Sequence, residues 1–569
     1  MRIIMKSLLT YLIALLLTPL TSQQTSSGWV TTIAGSDWQI AADIKTDIHG
    51  NIYTIGSFFG ATDFDGSAAT NNKSDKGETD VFVTKHSPGG QLIWVATFGG
   101  SSTDTGFGID IQDSGEVYVV GTFEGSGDFD PGDDVLTLSS SGQEDMFIAK
   151  LNSSGALIWA KRIGSTNVDE ANDVAIDHDG NIYVVGRFVS TVDFDPGTAT
   201  SNLTAGGAPD GFILKLNSQG EFLWAFDIGS GDNDEAEAVV VDGENNVIVT
   251  GYFDGLTDFD PGPGQHNVSS SSGSGDPFYL KLTPATAFVW VTTFTSSSYV
   301  FANDVDVDKD NNIVTHGFFR NSINPEPGNS ATVILTQGAE DSFTAKINHG
   351  GDVAWLHTLG GSSLEFGYGV AVDALGDVYV TGFYYDSPDF DPGDEEFFLP
   401  SVGIEDTYLV KYNSDGEFVW VKQTGGTGSD AGYGIDINAG GDILLAGSYW
   451  GKSDLDPEPG GTLNITSKGS ADVSIIHIDQ MISSTTHESA LTADWKLNPN
   501  PSTGELTISG VEQFPVTITV MDMTGRMLKV PYQLHSHGQM LDLHDLPCGI
   551  YYVDIRSADK SGVMKWIKN

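Results

Sequence analysis

The 569-residue chain is poor in cysteine and in basic residues. Its single cysteine, Cys548, cannot form an intrachain disulfide. Lysine and arginine number 26 against 77 aspartate and glutamate residues, which gives a formal net charge of −51. A nucleic-acid-binding surface needs clustered positive charge, and an anionic membrane repels so acidic a protein. The composition therefore excludes a nucleic-acid binder and a protein held by charge on anionic lipid.

Long apolar runs are also absent, apart from one near the N-terminus. Arg2 and Lys6 precede the apolar run 8–17, and small and polar residues follow it as far as Ser27. This order is typical of a secretory signal peptide, and the run is shorter than the roughly 20 apolar residues that span a bilayer. We predict that residues 1–23 are a signal peptide and that no transmembrane segment is present. The mature protein is then expected to be exported.

What the sequence has in abundance is internal repetition. Three residue types recur with a spacing of 65 or 66 residues, each seven times: Trp29, Trp94, Trp159, Trp224, Trp290, Trp355 and Trp420; Gly56, Gly121, Gly186, Gly251, Gly317, Gly382 and Gly447; Asp80, Asp145, Asp210, Asp276, Asp341, Asp406 and Asp472. A fixed period of this kind indicates a repeat architecture. Because each residue recurs in every unit, we interpret the Trp residues as packing residues between units. The Gly residues mark close backbone approaches, and the Asp residues are hydrogen-bond acceptors that fix turns.

Each unit contains four segments with strand character. In the second unit these are 108–111, 116–123, 145–151 and 156–163, separated by turns rich in Gly, Pro, Asp and Asn. Four short antiparallel strands repeated seven times predict an all-β fold, a seven-bladed β-propeller with blades of about 65 residues. The last unit lacks its own fourth strand. We therefore predict that residues 28–34 pair with 472–478 and close the ring.

The repeats resemble the β-propeller repeat family called SBBP. The resemblance rests on 180–188 (GNIYVVGRF), 193–197 (DFDPG), 210–224 (DGFILKLNSQGEFLW) and their copies. It covers roughly residues 28–480, within a propeller domain predicted over residues 24–480, and says little about function, because propellers carry many unrelated activities.

A second module follows a linker of small and polar residues, 481–494. Alternating segments broken by Pro-Asn-Pro, Thr-Gly and Pro-Cys-Gly turns predict a small β-sandwich over residues 495–569. The module resembles the type A C-terminal sorting domain of the Bacteroidetes type IX secretion system. The matching residues are Asn498 to Pro501 with Gly504, Asp522 with Gly525 and Arg526, Leu541 to Leu543, Leu546, Pro547, Gly549 to Tyr551, Lys565 and Lys568. The resemblance implies that residues 495–569 engage the type IX secretion machinery during export, and that the mature protein is secreted or displayed on the outer cell surface after signal-peptide cleavage.

Repeated DFDPG segments suggest a metal. Alternation in an extended segment puts both Asp side chains on one side, before a Pro-Gly turn and on the face that carries the loops between blades. Calcium prefers such carboxylate oxygens. The candidate calcium ligands are Asp128, Asp130, Asp193, Asp195, Asp258, Asp260, Asp389 and Asp391, and the loops between blades add Asp104, Asp169, Asp234, Glu365 and Asp430 to the same face. The alternative is that these Asp residues cap turns on an acidic surface. Apart from calcium, no cofactor is expected.

A ligand site is expected at residues that differ from the residues at the same position in most other units. These residues are His316, Arg187, Arg320, Trp38, Tyr299, Tyr385 and Trp450. No nucleophile elbow, phosphate-binding loop or metalloprotease motif occurs, and no catalytic residue is assigned. The favoured function is a non-enzymatic scaffold that binds an extracellular protein or glycan. The alternative is a propeller hydrolase or lyase that acts on polysaccharide through carboxylates of the ring face.

Overall fold

The computed structural model is an all-β protein, as the sequence predicts. It describes residues 28–271, 275–393 and 395–480 in full, together with the backbone of strand Gln23–Gln24 and of the C-terminal strands within 496–568. Residues 1–22 of the predicted signal peptide and the linker lie outside the described residues. The strand pairings over 28–480 fall into seven groups of four antiparallel strands, which we number blades 1 to 7.

In each blade the chain runs from the inner strand, which lines the central channel, outward to the rim. The inner strands are Gln39–Thr46, Asp104–Ile111, Glu170–Ile176, Glu235–Val241, Val300–Val307, Glu365–Val372 and Asp430–Ile437. The second strands are Ile52–Phe58, Val117–Asp128, Ile182–Phe188, Val247–Phe253, Ile313–Asn324, Val378–Tyr384 and Ile443–Asp454. The third strands are Asp80–His86, Thr137–Leu151, Asp210–Leu216, Asp276–Leu282, Ile334–Ile347, Asp406–Tyr412 and Asn464–Ile478. The outer strands are Leu92–Gly100, Leu157–Ile163, Phe222–Ile228, Phe288–Thr293, Val353–Leu359, Phe418–Gly426 and Gly28–Gly35. Short strands in the connecting loops are Ala61–Asp63, Asn72–Ser74, Thr191–Asp193, Asn202–Thr204, Leu256–Asp258, Asn267–Ser269 and Thr295–Ser296.

The hydrophobic core lies between neighbouring blades. Every residue of Ile52–Phe58 and of Asp80–His86 is buried, because both faces of these central strands are covered by adjacent sheets. The Phe of each DFDPG segment inserts into this core. Phe129, for example, packs edge-on against Phe123 at 5.0 Å between ring centroids. The sequence repeat therefore encodes a core that a single blade cannot form alone.

The predicted closure of the ring is confirmed. The N-terminal strand Gly28–Gly35 is the outer strand of blade 7 and pairs antiparallel with Asn464–Ile478, with Trp29 opposite His477 and Ile33 opposite Val473. Both ends of the repeat region therefore share one sheet, which leaves no unpaired edge where the ring begins.

The repeated Trp residues pack between blades, as predicted. The indole N–H of Trp94 donates to the carbonyl of Ser153 in the next blade at 3.2 Å, and Trp29 donates to the carbonyl of Pro88 at 3.1 Å. The Trp94 ring lies against Gly155, where an added methyl group would sit 2.7 Å from it. Trp159 and Trp290 make the same bond, so four of the seven Trp residues connect an outer strand to a turn of the following blade in this way.

The repeated Gly and Asp residues are also structural. A methyl group at Gly121 would lie 2.0 Å from the Thr105 carbonyl oxygen, so only glycine fits this pairing. The repeated Asp residues accept backbone N–H groups from the loop before the third strand. Asp145 bonds Ser141 at 2.8 Å and Asp210 bonds Gly206 at 3.0 Å. Both interpretations made from the repeat are confirmed.

The C-terminal strands pair among themselves in two four-stranded sheets. One contains Lys496–Asn498, Glu505–Ser509, Tyr532–His535 and Gly538–Asp542, and the other contains Thr517–Asp522, Met527–Leu528, Gly549–Arg556 and Ser561–Lys568. Within the part of the chain that the structure describes, no helix is long and apolar enough to cross a membrane.

Candidate functional site at the channel mouth

The inner strands enclose a central channel with a cavity of about 710 Å³. Each inner strand carries a β-bulge at the same register position, one residue after the pairing to the repeated Gly. The bulged residues differ from blade to blade, and all of them line the cavity: Ala42, Phe107, Asn172, Glu237, Asn303, Tyr368 and Tyr433. A bulge re-aims a side chain, and bulges are frequent next to functional sites. The units of the repeat therefore differ from one another at the position that faces the channel.

Deeper in the channel, carboxylates link neighbouring blades. Asp173 accepts the N–H of Val174 in its own blade at 2.7 Å and that of Val239 in the next blade at 2.9 Å. The same bridging occurs at six positions: Asp43, Asp110, Asp173, Asp304, Asp306 and Asp436. These carboxylates fix the blades to one another around the channel.

One lysine faces this ring of carboxylates. Burial raises the pKa of Asp110 and Asp306 to about 6 and that of Asp304 to about 7, while the charge of Lys45 acts in the opposite direction. Burial disfavours the charged form of Lys45, but Asp43 and the other channel carboxylates outweigh it and raise its pKa well above the usual value. The channel therefore combines an ammonium group with several weakly acidic carboxyl groups.

Blades 4 to 7 carry partly exposed aromatic rings at the mouth of the channel nearer the DFDPG turns. The rings contact one another in sequence, with centroids 4.6 to 5.8 Å apart: Tyr252, Phe301, Phe318, Phe366, Phe383, Tyr368 and Tyr433. We call this set the aromatic belt. No other part of the repeat has such a set in the described residues, because blades 1 and 2 carry Ser57 and Thr122 where blades 5 and 6 carry Phe318 and Phe383.

A charged cluster adjoins the belt on blades 3 and 4. Arg187 lies 2.7 Å from the carboxylate of Glu170 and 3.4 Å from that of Glu235. The Tyr252 hydroxyl donates to Glu235 at 2.9 Å, which connects the cluster to the belt. Burial and the charge of Glu235 raise the pKa of Glu237 well above its usual value. The mouth thus places an arginine and three glutamates beside a continuous series of aromatic rings.

The predicted calcium ligands lie in turns, where their side chains accept backbone hydrogen bonds. Asp193 accepts the N–H groups of Asp195 and Ser201 at 3.1 and 2.8 Å, and Asp195 accepts that of Gly197 at 2.7 Å. The other predicted ligands repeat the arrangement: Asp128, Asp130, Asp258, Asp260, Asp389 and Asp391. Among the described residues, no three His, Cys, Asp or Glu side chains converge to hold a metal ion. Calcium at these eight positions stays a prediction.

The residues that break the repeat have different surroundings. Arg187 belongs to the charged cluster at the mouth. His316 is buried, with Nδ1 2.8 Å from the Phe343 carbonyl and Nε2 2.9 Å from the Tyr408 hydroxyl, so it joins two blades. Tyr299 donates to Glu340 and lies beneath Arg320.

Three further aromatic residues singled out from the sequence lie near the same face. The ring of Tyr385 is 6.1 Å from that of Phe383, at the edge of the belt. Trp38 is half-buried, and its carbonyl accepts the N–H of Phe59. Trp450 is 49% exposed on blade 7.

Sequence reasoning missed most of the mouth. Phe301, Phe366, Tyr368 and Glu237 stand at repeat positions that no marker residue defines, so nothing singled them out. The signal was present in the seven aligned units, because the residue after each inner-strand Gly or Ala differs in size and charge. Only the bulge shows that this position faces the channel.

Comparison with protein families agrees with both modules. Residues 158–187 match the model described as a β-propeller repeat, and residues 496–569 match that of the secretion system C-terminal sorting domain. The chain is a propeller protein with a sorting domain. The sorting domain supports a secreted or cell-surface location and interaction with the type IX secretion machinery.

Two curated relatives match part of the repeat region. The chain is 25% identical over 336 residues to an uncharacterized WD repeat-containing protein of Acanthamoeba polyphaga mimivirus. The match covers 49% of this chain and 24% of that protein. It is 27% identical over 207 residues to the regulatory protein FlaEY of Caulobacter vibrioides, covering 36% of this chain and 21% of that protein. The chain thus spans less than a quarter of the length of these relatives.

Solved structures also overlap with the chain. Sqt1 of Chaetomium thermophilum is 9% identical with a TM-score of 0.36, over 78% of this chain and 100% of that one. A protein of unknown function from Bacteroides thetaiotaomicron is 10% identical with a TM-score of 0.26, and the match covers 78% of this chain and 100% of that one. Similarity at this level carries no information about function.

Proposed function

We propose that this secreted propeller is a non-enzymatic scaffold that binds an extracellular glycan at the channel mouth. The observation that carries the proposal is the aromatic belt beside the Arg187 cluster. Sugar rings present apolar C–H faces that pack on aromatic rings, and their hydroxyls pair with charged and amide side chains. Tyr368 and Tyr433, with ring centroids 5.1 Å apart and planes inclined by 65°, provide two adjacent aromatic surfaces.

The neighbouring polar groups provide the directional contacts of such a site. Glu170 lines the channel cavity and forms an ion pair with the partly exposed Arg187, so both side chains keep hydrogen-bonding positions that solvent can reach. Asn172 donates to Glu235 at 2.9 Å and holds that carboxylate in place. A few oriented polar groups among aromatic side chains are the usual composition of a small-molecule site.

The proposal is tested by screening the full-length secreted protein against soluble oligosaccharides and confirming each ligand by calorimetry. Replacing Tyr368 or Phe366 with Ala is expected to weaken binding about tenfold, because each stacked ring contributes about 1 kcal/mol. Trp450→Ala is the matched control, since Trp450 is an exposed aromatic outside the belt. Binding that is unchanged in the belt variants, or lost equally in the control, contradicts the proposal.

A polysaccharide hydrolase is the second candidate, and one observation favours it. Burial and the charge of Glu235 raise the pKa of Glu237 well above its usual value, and burial also raises the pKa of Glu235, although Arg187 acts in the opposite direction. Two neighbouring carboxyl groups in different electrostatic environments are the groups that an acid–base pair requires. Release of new reducing ends that Glu237→Gln abolishes would support hydrolysis. Binding without product release supports the scaffold.

A further inference from the structure

Acidic groups outnumber basic groups at the channel mouth. Glu170, Glu235 and Glu237 all line the cavity. Arg187 serves two of them at once, because it lies 2.7 Å from the carboxylate of Glu170 and 3.4 Å from that of Glu235. Among the described residues no second lysine or arginine pairs with this group. One guanidinium is therefore shared between carboxylates of blades 3 and 4, and it leaves no positive charge for the third.

The lysine of the channel does not change this balance. Of the described residues that line the cavity, only Lys45 is basic. Its charge faces Asp43, Asp436 and the other bridging carboxylates deeper in the channel. Both cations near the cavity are thus already matched by acidic groups of the chain. An anionic ligand at the mouth finds no uncommitted positive charge there.

Glu237 differs from the polar residues at the same position in the neighbouring blades. All three stand at the bulge of an inner strand and line the cavity. Asn172 of blade 3 donates to Glu235 at 2.9 Å. Asn303 of blade 5 donates to the Gly367 carbonyl at 2.7 Å. In the part of the chain that the structure describes, no donor and no basic side chain bonds to Glu237, so its carboxyl group is open to a ligand in the cavity.

Glu237 also lies close to the first ring of the aromatic belt. The Tyr252 hydroxyl donates to Glu235 at 2.9 Å, and burial, Glu235 and Glu237 together raise the pKa of that hydroxyl above its usual value. The Tyr252 ring is in turn 5.2 Å from that of Phe301. The face of an aromatic ring attracts a cation. A carboxyl group next to aromatic faces is therefore suited to a positively charged ligand.

A further carboxylate stands at the other end of the belt. Burial and Glu405 raise the pKa of Tyr385 to about 12, and burial and Glu405 also raise the pKa of Tyr433. Glu405 acts on the Tyr368 hydroxyl as well, so it lies near three tyrosines of this end. Within the described residues no lysine or arginine forms an ion pair with Glu405. Both ends of the belt thus combine aromatic rings with a carboxyl group that has no counter-ion.

We propose that the glycan bound at the mouth carries free amino groups, and that Glu237 binds a protonated amine while the sugar ring packs on the aromatic belt. This inference rests on the function proposed above and narrows its ligand to amino sugars. A carboxylate accepts charge-assisted hydrogen bonds from an ammonium group, and the adjacent rings add cation–π attraction. A glycan rich in carboxylate or sulfate groups would meet Glu237 and Glu405 instead, which is unfavourable. The net charge of −51 also attracts a cationic polymer from a distance.

The experiment compares oligosaccharides of equal length and the same β-1,4 linkage, built from glucosamine, N-acetylglucosamine, glucose or glucuronic acid. Calorimetry with the full-length secreted protein, in a weakly acidic buffer that keeps the amines protonated, measures each affinity. The glucosamine chain is expected to bind about tenfold more tightly than the N-acetylglucosamine and glucose chains, and the glucuronic acid chain more weakly than all three. Equal binding of the first three overturns this inference and leaves the glycan site standing. If none of them binds, the inference is overturned, and the belt variants in the wider screen decide the proposed function.

Two substitutions with the same change of charge make the test specific. Glu237→Gln keeps the size of the side chain, and it is expected to abolish the preference for glucosamine over N-acetylglucosamine. Glu221→Gln is the matched control, because Glu221 is exposed in the turn before the outer strand Phe222–Ile228 and does not line the cavity. Thermal melting checks that both variants fold. A preference that survives in Glu237→Gln, or that falls equally in both variants, would assign the attraction to overall charge and overturn the proposal.

Discussion

Trp29 and His477 stack face to face, with ring centroids 5.2 Å apart and planes inclined by 9°. Six blades carry a lysine where blade 7 carries His477, for example Lys150 and Lys215. The histidine thus appears at the junction of the first and last strands of the ring. There it adds a stacking contact to the hydrogen-bonded pairing of those strands, and its Nε2 lies 3.4 Å from Asp442.

The first prediction concerns this closure. Trp29→Ala removes the stacking and the hydrogen bond to Pro88, and we expect a loss of about 3 to 5 kcal/mol in the free energy of unfolding. Urea unfolding measures the loss. Ile93→Ala is the control, because Ile93 is 51% exposed on the outer strand of blade 1. Removal of residues 28–35 is expected to open the ring. A variant without them that stays monomeric and melts unchanged would contradict the closure.

The periodic residues explain why so much of the fold was predictable. Trp, Gly and Asp recur because each meets the same neighbour in every blade, and their phase places the N-terminal strand beside 472–478. The channel mouth and the acidic residues that meet between blades could not be predicted in this way, because they depend on contacts between units. Asp210 and Asp234 look like separate turn residues in the sequence, and only the ring brings them together.

The second prediction concerns the pH dependence of stability in EDTA. Burial raises the pKa of Asp104, Asp234, Asp304 and Asp430 to about 7, above the value of about 4 expected in the unfolded chain. Between these values the folded state binds more protons, so the free energy of unfolding falls as pH rises from about 4 to about 7. Urea unfolding at pH 5 and pH 8 tests this, and greater stability at pH 8 would contradict it. Asp304→Asn is expected to flatten the slope.

The third prediction concerns the charged cluster. Arg187→Ala leaves Glu170 and Glu235 without their counter-ion, and we expect a loss of about 3 kcal/mol in stability. The double variant Arg187→Ala with Glu235→Gln is expected to recover part of this loss, because it removes one of the uncompensated charges. Chemical unfolding of both variants provides the comparison. Equal stability of the single and the double variant would show that the arginine contributes through packing alone.

The fourth prediction concerns the DFDPG turns. The Asp193 carboxylate accepts two backbone N–H groups, so Asp193→Ala is expected to reduce stability by about 1 to 2 kcal/mol. Asp193→Asn keeps one acceptor oxygen and is expected to lose less. If both substitutions leave thermal unfolding unchanged, the turn hydrogen bonds contribute no net stability.

The last prediction concerns export. The described strands of residues 496–568 pair only with one another, and the repeat region closes its own ring without them. Ending the chain at Gln480 is therefore expected to leave the propeller folded, with the same melting transition, but retained in the periplasm. Protease protection and fractionation of cells locate the truncated chain. Substituting Trp450, which is exposed on the propeller, provides a control in which export proceeds. Arrival of the truncated propeller at the cell surface in the amount of the full chain would show that residues 496–569 are dispensable for export.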